Sequence, residues 1–148
     1  MTDQTIPVKD RPLRDDDDLS ALLEQLLQRA SRRQVWLMFV DQRGCLAEPL
    51  IPIEGYPDDP SAVADAPDLG EVTEASLLMQ RAGMLREAME SAAVVLVWER
   101  PGSRIIGVDD REWAVAMRDA AAEHAIPLRA QFVLHSRGVR QIHDDDLG

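Results

Sequence analysis

The strongest constraint in this chain is the run Ala92–Trp98 (AAVVLVW), seven apolar residues ended at once by Glu99, Arg100, Pro101, Gly102 and Ser103. A valine-rich run of that length has no polar face, so it predicts a central strand covered on both sides. Proline removes a backbone donor and glycine lets the chain turn, so the strand stops there. Asp109 then opens a helix, with Glu112 at capping-box spacing. In open α/β sheets, ligands bind where the carboxyl end of a strand meets the next helix. This strand end is therefore the first place to look for chemistry, and its residues mostly lack the groups that chemistry needs.

The rest of the chain alternates in kind. Residues 1–17 are polar and without periodicity, and read as a disordered acidic lead-in. Asp18–Arg33 predicts a helix, with Leu19, Leu22, Leu23, Leu26, Leu27 and Ala30 on one face, Asp18 as N-cap and Arg29, Arg32 and Arg33 in the last turn. Val35–Val40 and Cys45–Ile53 predict a hairpin. Pro49 and Pro52 place its second strand at a sheet edge or a bulge. Residues 56–73 are rich in proline and aspartate and read as a long flap. Their aspartates lack the glycine and closing glutamate of a calcium loop.

Glu74–Ser91 and Asp109–His124 are helices by period. Met79, Met84 and Met89 read as core filler on the first, and Trp113 and Met117 are expected on the inner face of the second. Pro127–His135 and Val139–Ile142 close the sheet, and residues 143–148 form an acidic tail. The expected class is α/β: a single domain over residues 18–142, a mixed sheet covered by about three helices.

Charge narrows the partners. The net charge is −11, of which each acidic end carries −3 and the remainder −5. Such a surface gains nothing from counterion release, so no nucleic-acid partner is expected. No apolar run reaches membrane-spanning length, so no membrane partner is expected either. With the single cysteine Cys45 no internal disulfide forms, and the N-terminal stretch lacks the apolar core of a secretory signal; the expected location is cytoplasmic. No histidine is tied to Cys45 by spacing, so it reads as a structural thiol. His124, His135 and His143 stand at no short chelating spacing and read as structural or solvent-facing. Phosphate loops and nucleophile elbows are absent from the sequence.

The order of elements resembles the JAB/MPN superfamily, especially its RadC-like branch. The residues behind the resemblance are the hairpin VWLMFVDQRGCLAEPLIPIEG (35–55), the strand end Trp98–Ser103 and the helix start Gly107–Asp110. The resemblance implies a deaminase-like α/β sandwich. In active members, zinc is held by a His-x-His pair after a central strand and by the aspartate of a Ser-x-x-Asp. Here Trp98 and Arg100 stand at the two histidine positions and Asp110 at the aspartate position. The general-base glutamate falls near Leu50, with Glu48 two residues away on the same strand face. Indole offers no free lone pair and guanidinium stays protonated, so only Asp110 remains of the ligand type, as a vestige.

Three readings follow. The first is a catalytically inactive JAB/RadC-like domain, an interaction or structural module with no cofactor. It would contact an unidentified protein through Trp98, Glu99, Arg100 and Arg104 beside the 56–73 flap, tryptophan and arginine being common at interface hot spots. A homo-oligomer stays open. The second is a hydrolase using Glu48, Glu99 and Asp110 with magnesium or manganese. The third is a small anion site made by Arg100 and Arg104 at a helix start.

Overall fold

Ala93–Glu99 (β5) is the middle strand of a five-stranded sheet, as its unbroken apolar run requires. The structure, a computed structural model, describes residues 10–147. In chain order the elements are α1 (Asp16–Leu27), β1 (Gln34–Val40), β2 (Leu46–Glu54), β3 (Val63–Ala66), β4 (Gly70–Thr73), α2 (Glu74–Ala88), β5, α3 (Val108–Glu123), β6 (Leu128–His135), β7 (Gly138–Ile142) and a 3-10 turn at Asp144–Leu147. The sheet order is β2-β1-β5-β6-β7. Only β5 and β6 run parallel, joined across α3; the other neighbours are antiparallel. The chain is thus α/β, with a mixed sheet and three helices.

Period-2 alternation sorts the sheet's side chains into two cores. On one face, Leu19, Leu22 and Leu23 of α1 pack on Met38, Val95, Val97, Phe132 and Leu134. On the other, Met79 and Ala82 of α2 and Trp113 and Met117 of α3 pack on Leu37, Phe39, Leu96 and Trp98. The proline-bearing β2 is an edge strand, and its register with β1 shifts between Leu37 and Phe39. No helix among the described residues is long and apolar enough to cross a membrane.

Four boundaries differ from the sequence reading. The aspartate run belongs to α1: the Asp15 side chain accepts from the Asp18 amide at 2.9 Å, and Asp16, Asp17 and Asp18 occupy the first turn, where the helix dipole favours them. Pro12 pairs with Cys45 and Leu13 packs on the α1-side core, so residues 10–15 are docked on the fold; residues 1–9 of the expected tail lie outside the described residues. The helix expected to reach Arg33 stops at Leu27, where Gln28 takes a φ of 64°. Its three arginines therefore lie beyond the helix. The 56–73 segment holds a hairpin, β3–β4, whose flanks donate from Ala75 to Pro60 and from Glu74 to Ala62. At the other end, Leu147 packs on the core and Asp146 bonds Arg140, so residues 143–147 are not a free tail; residue 148 lies outside the described residues.

Candidate functional site

A cleft of about 440 Å³ opens at the carboxyl end of β5, lined among others by Tyr56, Trp98, Arg100, Ser103, Ile105, Asp110 and Trp113. Alternation along β5 sends Trp98 toward the α2–α3 layer and Glu99 to the opposite face.

Trp98 forms the floor. It is 1% exposed, against the expectation that placed it in a contact surface; it is not a surface residue. Its indole N–H donates to Gln131 Oε1 at 2.9 Å, and Gln131 in turn donates to the Ala114 carbonyl at 2.9 Å. Trp98, Trp113 and Tyr56 touch one another, each pair of ring centroids 5.4 Å apart, and both pairs that include Tyr56 meet edge to face. Trp113 Nε1 donates to the Pro57 carbonyl at 3.0 Å, and the Arg33 guanidinium lies 3.6 Å over the Tyr56 ring. Burial holds the Tyr56 phenol above its ordinary range.

Arg100 forms the wall. Its Nε reaches Asp110 Oδ1 at 3.1 Å and its Nη2 reaches Asp110 Oδ2 at 2.9 Å, a two-point pair with side chains 20% and 10% exposed. The same guanidinium donates to the carbonyls of Ser103 and Ile105. Gly102, at a φ of 127°, donates its amide to Ser136 Oγ at 2.7 Å, pinning the loop to the β6–β7 turn. The turn is therefore built around Arg100 rather than around an anion. Asp110 also accepts from the Gly107 amide at 2.9 Å, so the cap of α3 is made by Gly107 and Asp110 and not by Asp109 and Glu112. The small anion site expected of Arg100 and Arg104 is not assembled: the donors of Arg100 are committed, and Arg104 is exposed on the loop.

Glu99 is also not a surface residue. It is 3% exposed and is a hub for the α1 side. Its Oε2 accepts from the Ser31 and Arg32 amides at 2.8 and 3.2 Å, and its Oε1 from Gln34 Nε2 and Trp36 Nε1 at 2.7 and 2.9 Å. Burial raises its pKa, but the donors from Ser31, Gln34, Trp36 and Arg32 outweigh this and hold it below the ordinary value. Those bonds explain the early end of α1: the chain leaves the helix to deliver two amides to this carboxylate.

The carboxylate trio proposed from the sequence does not come together. Glu48 is exposed on the edge strand, Glu99 is buried under α1, and Asp110 is paired on the far side of the sheet. Among the described residues, no three His, Cys, Asp or Glu side chains are grouped to hold a metal. The histidines are scattered: His124 meets Ser76 Oγ at 3.0 Å, His135 accepts from the Arg137 amide, and His143 is exposed. Burial and the nearby Arg100 and Arg104 lower the pKa of His135. Cys45 is buried beside Pro12. What the sequence reading missed is Gln131. Its signal was a lone amide inside an apolar strand, a position that needs a buried partner. No family model matches the chain, and no curated protein matches it.

Proposed function

We propose that this chain is a catalytically silent domain of the JAB/MPN type, serving as an interaction or structural module, in which Arg100 replaces the family's metal. The observation that carries the reading is the pairing of Arg100 with Asp110 in one cleft with Trp98. The resemblance assigns these three positions to the three metal ligands, and all three meet at the end of the middle strand and the start of the next helix. The order of helices and strands also supports a deaminase-like sandwich.

The residues present do not fit zinc. An indole N–H is a donor, and here it is committed to Gln131. Guanidinium is a permanent cation that already neutralises Asp110, so a metal would compete with a fixed positive charge at its last ligand. Without a bound cation, a water in the cleft keeps a pKa near that of bulk water, and no strong nucleophile forms at neutral pH.

The test is zinc titration with elemental analysis on the parent, on Asp110→Ala and on Trp98→His with Arg100→His. The parent should bind no equivalent that depends on Asp110, and the double variant should gain zinc affinity. In that variant Gln131 is placed to hold an imidazole N–H, as metal-binding histidines require. One equivalent of zinc bound by the parent and released by Asp110→Ala would sink the reading. A folded double variant with no gain would refute the assignment of positions.

A further inference from the structure

A second cleft, of about 380 Å³, lies between β2, the β3–β4 hairpin and α2, and shares Tyr56 and Trp113 with the first. Its walls include Ile53, Leu77 and Leu78. The apolar surface continues beyond it. Met84 and Leu85, 47% and 37% exposed, lie one turn beyond Arg81 and two turns beyond Leu77 and Leu78 along α2, so Met84 is not the core filler expected from its spacing. Val63, 65% exposed, shares a face of β3 with Asp65. The surface helix α2 thus buries one face through Met79 and Ala82, packs Leu78 at the edge of that core, and carries Leu77, Met84 and Leu85 as a further apolar strip beside the cleft.

The rim is acidic in excess, with Glu54, Asp65 and Glu74 lining the cleft beside Arg81. From Glu54 to Glu74 the chain has seven acids and no lysine or arginine. Arg32, Arg33 and Arg81 reach in from outside to pair with Glu54, Asp58 and Asp68, and Arg81 holds Asp68 down at about 2. Asp65, Glu71 and Glu74 form no ion pair among the described residues. Two of these, Asp65 and Glu74, line the cleft itself.

We infer that this groove docks a cationic amphipathic helix from a partner protein, its apolar stripe against Leu77, Leu78, Met84 and Leu85 and its lysines or arginines toward Asp65 and Glu74. The inference rests on the reading of the chain as an interaction module and names the partner class. Apolar anchors at helical spacing in a groove with charged flanks are the helix-in-groove mode of recognition. Charge sign decides against other covers. A second copy would bring acid to acid, because the chain carries −11 and no helix among the described residues has a basic excess. An anionic membrane would be repelled by the same rim.

The probe is a fluorescent peptide of about 18 residues, leucines at helical spacing and lysines elsewhere, beside a twin with glutamate for lysine. Anisotropy titrations should show binding of the lysine peptide only, weakening as salt rises. Asp65→Lys with Glu74→Lys should weaken it about tenfold or more and reverse the preference between the peptides. Met84→Glu with Leu85→Glu, both at exposed positions, should also abolish binding of the lysine peptide's apolar face, seen as loss of the α2 amide shifts in NMR titration. Asp144→Lys with Asp145→Lys makes the same change in net charge outside the groove and should leave affinity within about twofold. Equal binding of both peptides, or equal loss in that control pair, would overturn the inference. So would a dimer in sedimentation, or co-sedimentation with phosphatidylcholine–phosphatidylserine vesicles, that Met84→Glu with Leu85→Glu removes. Zinc bound at Asp110 would sink the silent-site reading while leaving these affinities unmoved. Failure of the lysine peptide to bind zinc-free protein would sink this inference alone.

Discussion

The indole N–H of Trp98 donates to the side-chain oxygen of Gln131 at 2.9 Å, joining the two parallel strands inside the core. Gln131→Leu strands that donor away from water. The expected cost is about 1–3 kcal/mol in urea denaturation. Trp98→Phe removes the donor, so the double variant should be less destabilised than the sum of the singles. Strict additivity would show that the bond contributes nothing.

Glu99→Gln tests the hub on the other face. The amide places an NH₂ group against donors, and an expected cost of about 1–3 kcal/mol follows from the donors left unpaired. The effect should depend on pH. The folded pKa of Glu99 lies below its ordinary value of 4.5, so its stabilising charge is fully present above that value and is lost as pH falls through the folded pKa. The gap in denaturant midpoint between parent and variant should therefore shrink progressively as pH falls below the ordinary value of 4.5. A gap that stays constant or widens on acidification would show the carboxylate is not held as its charged form.

Trp113→Ala should cost about 3–5 kcal/mol, since the ring is buried and packed against both Tyr56 and Trp98. The same variant should quench the near-ultraviolet dichroism of the aromatic cluster. An unchanged unfolding midpoint would mean that α3 does not pack through this residue.

Asp15→Ala removes the cap of α1 and should lower stability by about 1 kcal/mol. Deleting residues 1–15 should cost more, because Leu13 and the Pro12–Cys45 pairing go with the cap. A melting temperature unmoved by that deletion would return the segment to the status of a loose lead-in.

Much of the architecture was legible because burial leaves a period. The β5 run, the leucines of α1 and the Trp113–Met117 stripe each announce which side is inward. The end of α1 was not legible, because the apolar period persists through Ala30 while a carboxylate 68 positions away from Ser31 claims the following amides. The β3–β4 hairpin was hidden because its strands are four residues each, too short and too polar to show alternation. At the cleft, sequence reading placed Trp98, Arg100 and Asp110 together through a resemblance, but side-chain direction decided their contacts. A strand-end tryptophan reads equally well inward or outward until Tyr56 and Trp113 are seen to enclose it.

The two-sided character of β5 has a consequence for how its terminus tolerates change. Leu96 and Trp98 answer to one layer, Val97 and Glu99 to the other, and the sheet backbone is all that the two share. Neighbours in sequence thus serve different layers, so damage at Leu96 should loosen the α2–α3 side first and damage at Val97 the α1 side. The cleft face, with its indole and guanidinium, is thus open to change while the Glu99 anchor one residue away goes on securing the opposite layer.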